Sequence, residues 1–199
     1  MKVNISKRKL ILTGILLILT IGVTLLRVDV PSITRPLGEK SRVDAGVYAT
    51  LGDLVIYPAV ILLGGPFGAA VSAVGAAVAD VIVAAIRGTT SARYYIIGSI
   101  LIKGGMAFFL ARFLSVCEDW RHCIGTAALT EALMVAGYLV YDVLIVREFG
   151  VAWRDMLVNL AQGVVCAGGG AVILKFLLPA VRPKSKRKKP KQEDLGVWT

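Results

Sequence analysis

One histidine and three cysteines are all that this 199-residue chain offers to thiol or transition-metal chemistry. The thiols, Cys117, Cys123 and Cys166, are odd in number and sparse, which argues against an external disulfide framework. Cys117, His122 and Cys123 lie close together, but a structural zinc site wants four ligands and no fourth candidate is near. The sequence has no phosphate-binding loop, and no serine, histidine and acid set can be assembled around His122. Catalysis of the usual kinds is therefore not expected, nor a bound metal or cofactor, and any ATP hydrolysis must reside on other chains. Acidic residues are also scarce, 13 against 23 lysines and arginines, for a net charge of +10.

Apolar residues fill the space, at 56% of the chain, in stretches that recur with short polar breaks. That is the composition of a polytopic membrane protein. The breaks leave six apolar segments, at 10–28, 51–64, 67–86, 95–116, 123–146 and 156–178. The first follows Lys7, Arg8 and Lys9 but is too long for a signal-peptide core and has no small-residue cleavage site after it, so it reads as a retained helix. The second is short of the roughly twenty residues that cross a bilayer and needs shielding by its neighbours. Gly64-Gly65-Pro66 then forces a tight turn, which makes segments two and three an antiparallel hairpin. The expected fold is an all-α membrane protein of six transmembrane helices over residues 1–180, with a basic, disordered cytoplasmic tail at 181–199.

Lysine and arginine near the span ends set the orientation. Lys2, Lys7, Arg8, Lys9 and Arg121 and the tail residues Arg182, Lys184, Lys186, Arg187, Lys188, Lys189 and Lys191 put both termini in the cytoplasm. No aromatic residue interleaves the basic run of the tail, so it reads as attracted to anionic lipid rather than to nucleic acid. Trp120 and Trp153 read as interfacial anchors.

Against this background the charges inside the apolar segments need a reason. An acid at bilayer depth costs about 3 kcal/mol or more. Counting 1.5 Å per residue from the helix ends puts Asp80 about 20 Å from the cytoplasmic end of its helix, and Lys103 about 13 Å below the outer surface. Asp53, Tyr138, Tyr141, Asp142, Asn159 and Gln162 fall in the same outer half. The expectation is a ligand pocket there, with a buried Asp80–Lys103 ion pair as the packing alternative. Glu131 falls in the inner half, facing a partner or pairing with Arg112. Gly68, Ser72, Ala76 and Asp80 form one small-residue face, and Gly168-Gly169-Gly170 marks either a close contact or local unwinding.

Four stretches carry a resemblance: Leu51-Gly52-Asp53, Leu62-Leu63-Gly64-Gly65-Pro66-Phe67-Gly68, Gly75-Ala76-Ala77-Val78-Ala79-Asp80, and Ile102-Lys103-Gly104-Gly105-Met106-Ala107. In them the chain resembles the S components of energy-coupling factor (ECF) vitamin transporters, most closely the riboflavin-type branch. The resemblance covers the middle third of the chain, and the remainder follows only by hydropathy and span count. It implies a prokaryotic plasma-membrane subunit that binds a water-soluble vitamin or precursor, of the pyridoxine, hydroxymethylpyrimidine or riboflavin class, at the outer face. It also implies docking on a T component driven by two ATPase subunits. Carried over, Asp29 to Thr50 is a lid, and Lys103, Tyr138, Asp142, Asn159 and Gln162 are the pocket. The alternating alanines by which members dock are replaced on the first helix by Gly14 and Gly22, with Ile18 between them. The alternative function is a structural six-span subunit of a cell-envelope complex that needs no ligand.

Overall fold

The computed structural model describes residues 6–30, 47–87, 90–145, 147 and 149–181. The basic tail beyond Val181 and residues 31–46 of the expected lid lie outside them. Helix α1 (Lys7–Leu25) opens on Ser6, whose Oγ accepts from the Lys9 backbone N–H at 3.3 Å, satisfying a first-turn donor. It stops short of the expected end at Val28. Arg27–Val30 instead forms strand β1, paired antiparallel with β2 (Val47–Thr50), Arg27 opposite Thr50. The last residues of the expected first span thus belong to the base of a hairpin.

After a single 3-10 turn at Gly52–Val55, helix α2 (Ile56–Leu63) runs for only 8 residues, about 12 Å. It is too short to cross a bilayer upright. Five helices are long and apolar enough to do so among the described residues: α1, α3 (Gly65–Arg87), α4 (Thr90–Phe113), α5 (Trp120–Ile145) and α6 (Phe149–Val181). Helix α2 survives by being shielded. Ile56, Tyr57, Ala59, Val60, Ile61 and Leu63 are all buried, an apolar surface all round that marks a core helix. Val55, Ala59 and Leu63 meet Leu16 of α1 and Val71 of α3, while Ile56, Tyr57 and Val60 join a larger core with Met106 and Leu110 of α4, Met134 of α5 and Leu174 of α6.

The turn between α2 and α3 is as the sequence requires. Gly64 sits at φ +84°, a conformation closed to most side chains. Pro66 falls in the first turn of α3, where its missing N–H costs no intrahelical bond. The longest pairings are α3 against α4 and α5 against α6, with α1 packed on α3.

Helix α6 begins at Phe149, earlier than the expected 156, and so takes Arg154 and Asp155 into the helix. It runs unbroken through Gly168-Gly169-Gly170, which settles that run as close contact rather than unwinding. A Cβ on Gly170 would overlap the Tyr57 ring, and one on Gly169 would meet Leu54, whereas Gly168 has nothing within 4 Å. Gly170→Val is therefore expected to destabilise the fold by about 1–3 kcal/mol, seen as a lower Tm in detergent, while Gly168→Val leaves Tm nearly unchanged. Equal effects at the two positions would contradict the packing.

Candidate functional site

Three helical stripes converge at the end of the bundle where the hairpin lies. On α4 they are Tyr95, Ser99 and Lys103, four residues apart. On α6 they are Asp155, Asn159 and Gln162, spaced i, i+4, i+7, and on α3 Ser72, Ala76 and Asp80. Side chains at these spacings share one helix face. Together with Thr20 and Thr24 of α1, Tyr138 of α5, Asp53 of the 3-10 turn, and Tyr48 and Thr50 of β2, they line one cavity. Its volume is about 30 Å³, room for roughly two waters.

A buried ion pair anchors the floor. Lys103 Nζ lies 2.5 Å from Asp53 Oδ1, and both residues are buried. The second Asp53 oxygen accepts from Gln162 Nε2 at 2.6 Å, and Gln162 Oε1 accepts from the Thr50 backbone N–H at 2.7 Å. One chain of polar contacts thus runs from α4 through the 3-10 turn and α6 to the base of the hairpin. Thr50 Oγ1 in turn accepts from the Gly52 N–H at 3.1 Å. Gly52 has to be glycine because a Cβ there would run into the Thr24 side chain.

The expected Asp80–Lys103 pair is not formed, because Lys103 is taken by Asp53. Asp80 accepts instead from Ser99 Oγ at 2.6 Å and from Tyr48 Oη at 3.0 Å. Tyr48 comes from the hairpin, with Arg27 stacked over its ring at 4.4 Å. Burial and then the adjacent Asp80 carboxylate push the Tyr48 phenol up, so it stays protonated and donating at neutral pH.

The other expected pocket residues divide. Lys103, Tyr138, Asn159, Gln162, Asp80 and Asp53 line the cavity, whereas Tyr141 and Asp142 do not. Tyr141 packs against Tyr95, ring centroids 6.1 Å apart, and over Gly98. Asp142, fully buried, accepts from Tyr95 Oη at 2.8 Å and meets the Asp155 carboxyl. Asp155, left outside the sixth segment by the sequence reading, takes the cavity-wall position expected of Asp142. The α6 stripe Asp155, Asn159, Gln162 was the signal that could have found it. Thr20 and Ser72 carried none, since their hydroxyls bond to the Leu16 and Gly68 carbonyls of their own helices.

Glu131 accepts from Tyr57 Oη at 2.9 Å and is buried, whereas Arg112 is exposed, so the suggested Glu131–Arg112 pair gives way to a tie between α5 and α2. Gly14, Ile18 and Gly22 all face outward on α1, with Ile18 72% exposed. The three thiols are free and buried, Cys117 donating to Thr126 Oγ1 at 3.3 Å and Cys166 lying beneath the Thr50 carbonyl. His122 sits on the surface against Asp119 at 2.9 Å.

The cavity offers hydroxyl and amide hydrogen-bonding groups, acidic oxygens, one fixed cation and aromatic faces, the equipment for holding a small polar molecule. Removing one partner of a buried pair costs about 3–5 kcal/mol. Lys103→Met should therefore lower Tm sharply, and adding Asp53→Asn, which keeps an acceptor for Gln162, should recover most of the loss. Additive damage in the double variant would show that the pair is not coupled. No protein-family model matches this chain, and no curated protein matches it.

Proposed function

We propose that this chain is the substrate-binding S component of an ECF-type transporter, taking up a water-soluble vitamin or vitamin precursor. The observation that carries the reading is the convergence of polar side chains from α1, α3, α4, α5 and α6 on one cavity beneath a hairpin, in a bundle otherwise apolar enough for a membrane. Buried polar groups at bilayer depth mark ligand or ion pathways. In this reading the chain spans the membrane six times, α2 counting as the short second span, with both termini cytoplasmic and the cavity facing outward. The hairpin is the lid, held by Tyr48 on Asp80 and by the Thr50 N–H on Gln162. The exposed α1 face with Gly14, Ile18 and Gly22 is the docking surface for the T component, with two ATPase subunits beyond it.

The volume, about 30 Å³, is small. A ring-sized ligand needs the hairpin to lift and the side chains beneath it to part. The same small volume also fits the second reading, a structural membrane subunit whose polar groups satisfy one another.

Calorimetric and thermal-shift screening of the purified chain against vitamins and their precursors separates the two. The transporter reading expects tight binding of one compound, and silence across a broad panel overturns it. With a binder in hand, Tyr48→Phe removes one lid bond worth about 1 kcal/mol and should speed ligand dissociation roughly fivefold. An unchanged dissociation rate would place the lid elsewhere.

A further inference from the structure

Two acids meet at the α5–α6 side of the cavity. Asp142 is fully buried and Asp155 is 7% exposed, and their carboxyl groups are in hydrogen-bonding contact. Around them the neutral donors are Tyr95 Oη, 2.8 Å from Asp142 Oδ1, and Asn159 Nδ2, 3.3 Å from Asp155 Oδ2. Asp142 Oδ2 is buried and has no donor of its own. Among the described residues on and beside the packed elements, Lys103 on α4 is bound to Asp53, Glu131 on α5 accepts from Tyr57, Arg112 on α4 and Arg147 after α5 are exposed, Arg154 on α6 is exposed and donates to the Gly150 carbonyl, and Tyr138 and Tyr141 on α5 carry phenol hydroxyls. Asp80 lines the same cavity and carries its own two hydroxyl donors.

Two carboxylates in contact cannot both stay ionised without a cation, and a single proton between them meets the need. Such a proton fills the unpaired Asp142 oxygen. Asp155 opens this pair to the cavity, and the rings of Tyr95 and Tyr138 line the cavity with it, centroids 6.4 Å apart and tilted by 51°. Acid oxygens flanked by aromatic faces are suited to a positively charged nitrogen.

We propose that Asp155 and Asp142 form a cation subsite, which shares one proton when no ligand is bound and exchanges it for the protonated amine or ring nitrogen of a ligand. The inference rests on the ligand-binding reading of this cavity and narrows its substrate class. The exchange balances: a pair holding one proton carries a charge of about −1, the incoming cation makes both carboxylates ionised, and the proton leaves to water, so the net charge of the site is unchanged. Ligand capture is then accompanied by proton release, and a neutral isostere has nothing to exchange.

Infrared spectroscopy of the full chain in detergent tests this, because a protonated carboxyl has a C=O stretch resolved from that of carboxylates. In a Glu131→Gln background, which removes the other buried acid with a donorless oxygen, such a band should appear at neutral pH and be lost when either Asp155→Asn or Asp142→Asn is added. Picolylamine, cationic at that pH, should diminish the wild-type band, and the neutral pyridylmethanol should leave it alone. A missing band, a band that persists in both Asn variants, or one indifferent to picolylamine overturns the proposal. The wild-type response to the amine needs no variant to fold. A silent vitamin panel with an amine-sensitive band counts against the transporter reading alone, whereas a bound vitamin with an amine-insensitive band counts against the subsite alone.

Discussion

The contact on which the rest of the site depends is the ion pair between Lys103 and Asp53. A lone ammonium or carboxylate at this depth would cost several kcal/mol, so neither residue is tolerable without the other. Their pairing fixes three things together. It ties α4 to the 3-10 turn that precedes α2, it leaves the second Asp53 oxygen for Gln162, and through Gln162 it positions the Thr50 N–H at the root of the hairpin. The short helix α2 is held at its upper end by this pair and along its length by Tyr57, which fills the space against Gly170 and reaches Glu131. A helix too short to span by itself is thereby locked into a bundle of longer ones.

The pair also frees Asp80. With Lys103 occupied, Asp80 is satisfied by two hydroxyls, one from Ser99 within the bundle and one from Tyr48 on the hairpin. A single hydroxyl bond breaks far more cheaply than a buried ion pair. The frame and the closure of the cavity therefore draw on interactions of different strength. The ion pair holds the floor, and single hydrogen bonds hold the cover. That division makes the hairpin contacts the weaker part of the cavity wall and the Lys103–Asp53 floor the stronger.

Much of this was legible in the sequence. The apolar stretches, the Gly64-Gly65-Pro66 turn and the shared depth of Asp53, Asp80, Lys103, Tyr138, Asn159 and Gln162 all followed from residue types and counting. Counting along a helix gives height, because rise per residue is nearly constant. It does not give azimuth relative to other helices, and the errors fall there. Asp80 and Lys103 were rightly placed near one another in depth, but the nearer acid around the ring was Asp53. Asp142 was placed at the right level on the wrong side of α5. Asp155 was lost because a charged pair, Arg154-Asp155, looked like the end of a membrane segment. The first span was overextended for a related reason: Leu25, Leu26 and Val28 continue the apolar run across Arg27, and only the pairing of Arg27–Val30 with Val47–Thr50 makes that stretch a strand.

The sequence by itself determined a mainly α-helical chain whose long helices are apolar enough to cross a membrane, the tight turn after α2 and the level at which its polar groups gather, since hydropathy, glycine and proline geometry and helical rise are local properties. The tertiary structure alone decided which acid takes Lys103, which residues face the cavity and which hydroxyls hold the hairpin. Those depend on how each helix is rotated against its neighbours, and that rotation is set by the packing of all of them at once, as where the Tyr57 ring meets Gly170.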